Sequence, residues 1–227
     1  MPLDPAAETV ITAFHAGPPA VQGLVRDLRL RWAFEEIGRP YRAETFDAFA
    51  PRSAEYLQRQ PFNQVPAFDD GHQPLFETGA ILLYLGEQDE RLLPRDPGGR
   101  WQAITWAFAA LSSVEPAVSP LVVTNMIHRD KPWADPAREA FLQHTHRVLG
   151  HLSEALAGKD WIAGTFSIAD ILLATVLRPL DRTPGLLDGY PVVAAYKARA
   201  EGRPAFHRAL ADHLAAFQQH ETAGEPA

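Results

Sequence analysis

The chain has 227 residues, 46% hydrophobic and 22% charged, the balance of an ordinary folded protein of one large or two small domains. A net charge of −7 without a long basic run argues against nucleic acid as the main partner. There is no cysteine, which excludes disulfides, thiolate metal sites and any mechanism in which the protein supplies a thiol nucleophile. The first residues, MPLDPAAETV, lack the basic segment and apolar core of a signal peptide. No apolar run approaches the roughly 20 residues that cross a bilayer, so no membrane partner is expected and the expected location is cytoplasmic.

Residues 9–15 (TVITAFH) read as a first strand, followed by a Gly/Pro-containing loop at 16–23. In 24–37 (LVRDLRLRWAFEEI) apolar residues recur at Leu24, Leu28 and Trp32, a helical spacing that Gly38 ends, with Pro40 just beyond. Arg26, Arg29 and Arg31 with Asp27 read as a solvated or salt-bridged face of that helix. Residues 41–46 form a second strand, so the pair is expected to be parallel, and 51–59 a short polar helix.

The stretch 60–85, QPFNQVPAFDDGHQPLFETGAILLYL, carries most information. Val65, Ala67 and Phe68 are strand-compatible around Pro66, Asp69-Asp70-Gly71 is a turn, and Pro74-Leu75-Phe76 a second short strand. Glu77-Thr78-Gly79 opens a helix with Ile81, Leu82, Leu83 and Leu85 on a buried face. Because proline has no N–H for a ladder, Val65 is expected to keep a backbone N–H and C=O that an extended peptide can complete. Thr78, at a helix start, stands where free N–H groups favour a carboxylate. An ordinary hairpin with a capped helix accounts for the same spacing.

Residues 92–99 (LLPRDPGG) read as a linker, and the chain beyond them is helical: 100–114 and 120–127 with bends at Pro116 and Pro120, 135–156, 191–201 and 203–217, with a tail from His220 expected to fray. Ser167-Ile168-Ala169-Asp170 is a capping box with Phe166 and Ile171 as its staple, opening a helix apolar almost all round.

Gln64-Val65-Pro66, Glu77-Thr78-Gly79-Ala80-Ile81 and Tyr84-Leu85, with 158–167 and Tyr190-Pro191…Arg203-Pro204, resemble the cytosolic, bacterial-type glutathione S-transferase family over residues 9–217. The resemblance implies an α/β thioredoxin-like glutathione-binding domain at 1–90, a linker at 91–99 and an all-α domain at 100–227. It implies a cytoplasmic homodimer in which glutathione, as co-substrate, attacks a small apolar electrophile through its thiolate. Peroxidase or isomerase activity of bound glutathione is also compatible. It further implies that Pro66 is cis, that Gln64, Val65 and Pro66 hold the cysteinyl-glycine part, and that Glu77 and Thr78 hold the γ-glutamyl end. The alternative is a transferase-fold protein that binds or regulates without catalysis. Its motive is that relatives place a Tyr, Ser or Cys after the first strand to activate the thiol, and 15–25 (HAGPPAVQGLV) contains none. His15, Gln22, Arg26 and the backbone N–H groups of Gly23 and Leu24 remain as activators, since a donor or cation favours the thiolate.

The electrophile is expected to meet the 16–23 loop and the first long helix, where Trp101, Trp106, Phe108 and Met126 are apolar candidates, most of them expected in the core. No metal is expected: His144, His146 and His151 lack an i, i+4 pair. Phosphate-loop, dinucleotide and Gly-x-Ser-x-Gly motifs are absent.

Overall fold

The computed structural model describes residues 2–223, and side chains through residue 218. The chain forms two compact units, one made of the residues up to Leu92 together with those from Pro204, the other of Leu93–Arg203. In the first, β1 (Val10–Ala16) pairs in parallel with β2 (Arg42–Asp47), Val10 opposite Arg42 and Phe14 opposite Phe46, with an irregularity at His15. The crossover is α1 (Asp27–Ile37), ended by Gly38 at φ 62°, a left-handed conformation that costs glycine little. After α2 (Ala54–Arg59), β3 (Ala67–Asp69) runs antiparallel to β1, and β4 (Leu75–Phe76) antiparallel to β3, giving the order β2-β1-β3-β4. Helix α3 (Thr78–Gln88) completes a thioredoxin-like unit.

Helix α1 has no solvated face. Leu28, Leu30, Trp32, Ala33 and Phe34 are buried, and so are Asp27, Arg29, Arg31 and Glu35. Of the solvated or salt-bridged face expected here, the salt bridge is present between Arg31 and Asp27, and it is buried rather than solvated because α1 is covered by α3 and also by α9 (Pro204–Ala223), the last helix of the chain. The Phe206 ring meets Trp32 edge-on with centroids 4.9 Å apart. Helix α9 continues past His220, where the sequence suggests fraying; residues 224–227 lie outside the described residues.

Between α1 and α9 the Asp27 carboxylate accepts from Arg31 Nε at 2.7 Å and from His213 Nδ1 at 3.0 Å. Gly23 N–H lies 3.1 Å from His213 Nε2, so the ring spans the Gly23 main chain and the Asp27 carboxylate. Burial pushes the Asp27 carboxyl up, but His213 and Arg31 outweigh it and hold it below the ordinary 3.8. A buried charge of this kind is tolerable only with such partners.

The second unit is all helical: α4 (Pro97–Ala109), α5 (Glu115–Met126), α6 (Ala134–Leu156), α7 (Ile168–Leu177) and α8 (Pro191–Glu201). Residues 97–99 are helix rather than linker, because Asp96 caps α4 by accepting from Gly99 N–H at 2.7 Å and Pro97 is suited to a first helical position. One π-helical turn, Ala110–Val114, joins α4 to α5 just ahead of Pro116. The continuous helix Pro97–Met126 is long and apolar enough to cross a membrane by length and composition alone, a test that core helices also pass; 44% of its apolar window is buried within the protein, and α7 and α6 pack on it.

Helix α7 lies at the centre, with every residue but Thr175 buried. Its capping box closes: Asp170 accepts from Ser167 N–H at 2.9 Å, and also from Ile162 N–H and the Tyr196 hydroxyl. Phe166 packs against Trp161 and under the Arg203 guanidinium.

Acid should weaken the first unit. Asp70, at the β3–β4 turn, is raised by burial but lowered further by the N–H groups of Gln73 and His72, the Tyr84 hydroxyl and Arg39, ending below 3.8. A depressed carboxyl binds protons more readily unfolded than folded, so its stabilisation is present above the ordinary aspartate value and lost as pH falls through the folded one. Between about pH 5 and about pH 2, the decline in melting temperature should be shallower in Asp70→Asn than in the wild type. An identical decline would contradict this.

Candidate functional site

The cis-proline segment and the start of α3 flank one hairpin, β3–β4. The Val65–Pro66 peptide is cis. Strand β3 begins only at Ala67, and among the described residues neither the N–H nor the C=O of Val65 makes a hydrogen bond. The residue is buried, so it is anchored, while its N–H and C=O have no partner among the described residues.

At the head of α3, Glu77 stands at φ 69°, ψ 115°, a conformation that side chains other than glycine rarely hold. Glu77 is exposed, and no side chain caps the helix. The N–H groups of Thr78, Gly79 and Ala80 make no hydrogen bond among the described residues, an arrangement suited to an anion. Behind them lies Arg29, 4% exposed, whose Nη1 donates to Thr78 Oγ1 at 3.0 Å. Since Thr78 Oγ1 accepts there, its own proton is left to donate to a ligand oxygen. Arg29 is the residue beside this helix start that the sequence does not disclose as such. The usable signal is its position, in a helix turn whose neighbours Leu28 and Leu30 are core.

Of the activator candidates, the structure brings one to the cis-proline segment. Arg26, just before α1, donates from Nη1 to Gln64 Oε1 at 3.4 Å. Gln22 ends a short 3-10 turn, Pro19–Val21, half-buried, and its side-chain amide makes no hydrogen bond among the described residues. His15 turns elsewhere. Its Nδ1 lies 3.1 Å from Thr45 Oγ1 on β2, and it lines a cavity of about 620 Å³ with Arg31, Arg42, Asp212 and Ala216. The N–H groups expected to serve a thiolate are already used: Gly23 donates to His213, and Leu24 to Val21 C=O at 2.9 Å.

In the second unit, the apolar candidates are less buried than the sequence suggests. Trp101 and Phe108 are both 62% exposed on α4, and Trp106 and Met126 are half-buried. Among the described residues, no three His, Asp or Glu side chains are grouped to hold a metal ion.

A family model for the glutathione S-transferase N-terminal domain matches residues 21–87, the stretch that carries Gln64 to Thr78. A second, for the glutathione S-transferase C-terminal domain, matches residues 135–199. Among curated proteins, glutathione S-transferase GstA of Escherichia coli O157:H7 is 30% identical, over 85% of this chain and 94% of its own. The disulfide-bond oxidoreductase YfcG of Escherichia coli K12 is 31% identical, over 69% of this chain and 75% of its own. Among solved structures, a glutathione transferase family member from Pseudomonas fluorescens Pf-5 with two glutathione bound superposes with a TM-score of 0.75 at 29% identity, covering 88% of this chain and 92% of that one. A glutathione transferase from Burkholderia graminis with two glutathione molecules bound per subunit gives 0.74 at 28% identity, over 89% and 87%. The chain belongs to the glutathione S-transferase family.

Proposed function

We propose that this protein is a glutathione transferase that binds glutathione along the Val65 main chain and at the head of α3, and directs its thiolate at a small apolar electrophile. The observation that carries the reading is the pairing of two open main-chain sites flanking one hairpin, Val65 and the N-terminus of α3, with a buried guanidinium behind the second. Glutathione is a short extended peptide with a carboxylate and an ammonium at its γ-glutamyl end, and the residues fit it. The Val65 N–H and C=O pair with the cysteinyl unit, with Gln64 and Pro66 on either side. Thr78 and the free N–H groups take the carboxylate, which Arg29 stabilises through the Thr78 hydroxyl. Glu77 meets the ammonium.

Glutathione supplies the thiol that the chain lacks. The protein's part is to favour the charged form of that thiol, whose ordinary pKa is about 8.5. Arg26 is preferred for this over His15, because Arg26 reaches Gln64 whereas His15 bonds Thr45. Gln22 adds an uncommitted amide donor. The protein is proposed to act as a cytoplasmic homodimer. Phe49 and Phe62 in the first unit and Trp101 and Phe108 in the second expose apolar surface that a second copy can cover.

A second reading is favoured by one observation, the likeness to a disulfide-bond oxidoreductase and to structures holding two glutathione molecules. With no cysteine of its own, the protein would seat two glutathione thiols. These give two electrons and two protons to a substrate disulfide and leave as glutathione disulfide.

Calorimetric titration with reduced glutathione should give saturable binding, weakened by about 1–3 kcal/mol in Thr78→Val, which leaves the carboxylate without a hydroxyl partner. An unchanged affinity in a folded variant removes the anion site. The thiol of bound glutathione should titrate below about 8.5, and Arg26→Ala should raise it, because a cation favours the thiolate. The thiolate absorbance followed against pH checks this, and an unmoved titration rules Arg26 out.

A further inference from the structure

The main chain that flanks Val65 is fixed by a closed relay of hydrogen bonds, each of whose protons can be assigned. Tyr56, on α2, lies 2.6 Å from the carbonyl oxygen of Gln64. A carbonyl only accepts, so the single phenolic proton goes there. The Tyr56 oxygen lies 3.0 Å from Thr12 Oγ1 on β1, and with its proton committed it accepts from the Thr12 hydroxyl. Thr12 Oγ1 in turn accepts from Ala67 N–H at 2.7 Å. The relay thus runs from Ala67 N–H through Thr12 and Tyr56 to Gln64 C=O. It starts just after the Val65–Pro66 dipeptide and ends just before it.

The relay is shut off from solvent: Thr12 is 0% and Tyr56 3% exposed. Next to it, the buried Gln60 side chain takes the N–H of Gln64 at 3.2 Å and of Phe62 at 2.7 Å. The ladder between β1 and β3 pairs Val10 with Asp69 and Ile11 with Phe68 and goes no further. One residue on, the Thr12 side chain supplies the acceptor that a rung would have supplied. The flanking groups named here are consumed inside the protein, and those of Val65 are not.

We propose that Thr12 and Tyr56 are positioning residues for glutathione: they touch no ligand, but hold the Gln64 C=O and Ala67 N–H so that the Val65 peptide groups face the incoming cysteinyl unit in fixed orientation. This rests on the reading of Val65 as a glutathione contact. A buried tyrosine suits the task, since burial disfavours the phenolate and keeps the donor protonated. The same commitment takes Tyr56 out of contention as a thiol activator, because its one proton is used.

The test is glutathione affinity and steady-state kinetics for Tyr56→Phe, Thr12→Val, Thr12→Ser and the double variant Thr12→Val/Tyr56→Phe. Each single loss should raise the Kd and KM for glutathione about tenfold, with kcat at saturating glutathione little changed. The double variant should be no worse than the worse single, because both break one relay. Thr12→Ser keeps the hydroxyl and should bind as the wild type does. Wild-type affinity in folded Tyr56→Phe overturns the proposal, and that variant decides alone should Thr12→Val fail to fold. Additive losses, or a Thr12→Ser variant as weak as Thr12→Val, also overturn it. A wild type that binds no glutathione brings down the functional reading and this inference together, whereas wild-type binding with unaltered variants brings down only this one.

Discussion

A proline has no N–H to give to a sheet, and the candidate site is a consequence of where that deficit falls. Pro66 stands one residue ahead of β3, so the ladder with β1 ends at Ile11 and Phe68 and the chain before it is not drawn into the sheet. Around this break the protein satisfies its own polar groups with side chains: Thr12 for Ala67, Tyr56 for the Gln64 carbonyl, Gln60 for the Gln64 N–H. A few residues on, α3 begins on Glu77 in a strained conformation without a side-chain cap. What is left over at both places is main chain without a partner, beside a hairpin held by buried contacts. Such groups can recognise a peptide without any side chain having to change shape, which keeps the ordering cost of binding low.

A second constraint acts from the far end of the chain. Helix α9 closes over α1, and the His213 ring bridges Asp27 to the Gly23 N–H, 190 residues away in sequence. The loop that carries Gln22 and leads to Arg26 is therefore held by the last helix as well as by its own turn. Removing His213 would leave Asp27 buried with Arg31 and the Gly23 N–H without this acceptor, a costly pair of losses in one place. In this sense loop geometry and α9 docking are one property.

Signals confined to a few residues are legible in the sequence. Glu77-Thr78-Gly79 opens an apolar helix and Ser167 with Asp170 forms a capping box, and the structure has both where the residues suggest, whereas the strand-compatible Val65 before Pro66 lies outside β3. Arg29 and Arg31 are not legible as buried, because their fate is decided by α3 and α9, which cover a helix that would otherwise present them to water. The Thr12–Tyr56 relay escapes for a similar reason: it joins a strand, a helix and a loop, and none of the three shows a pattern by itself. The start of α4 is a different case. Asp96-Pro97 is a good helix opening, and the two glycines after it conceal the signal. His15 looks well placed at the end of β1, yet its ring bonds across to Thr45 on the neighbouring strand.

In the proposed function everything turns on the Val65 main chain being open to glutathione while its neighbours are already bonded. This is tested most directly by backbone amide exchange in the isotope-labelled protein, with and without reduced glutathione. Ala67 should be protected in the free protein and stay so, while Val65 should exchange freely at first and become protected as glutathione saturates. Saturable binding that leaves Val65 unprotected, or a Val65 amide already protected in the free protein, would contradict the account.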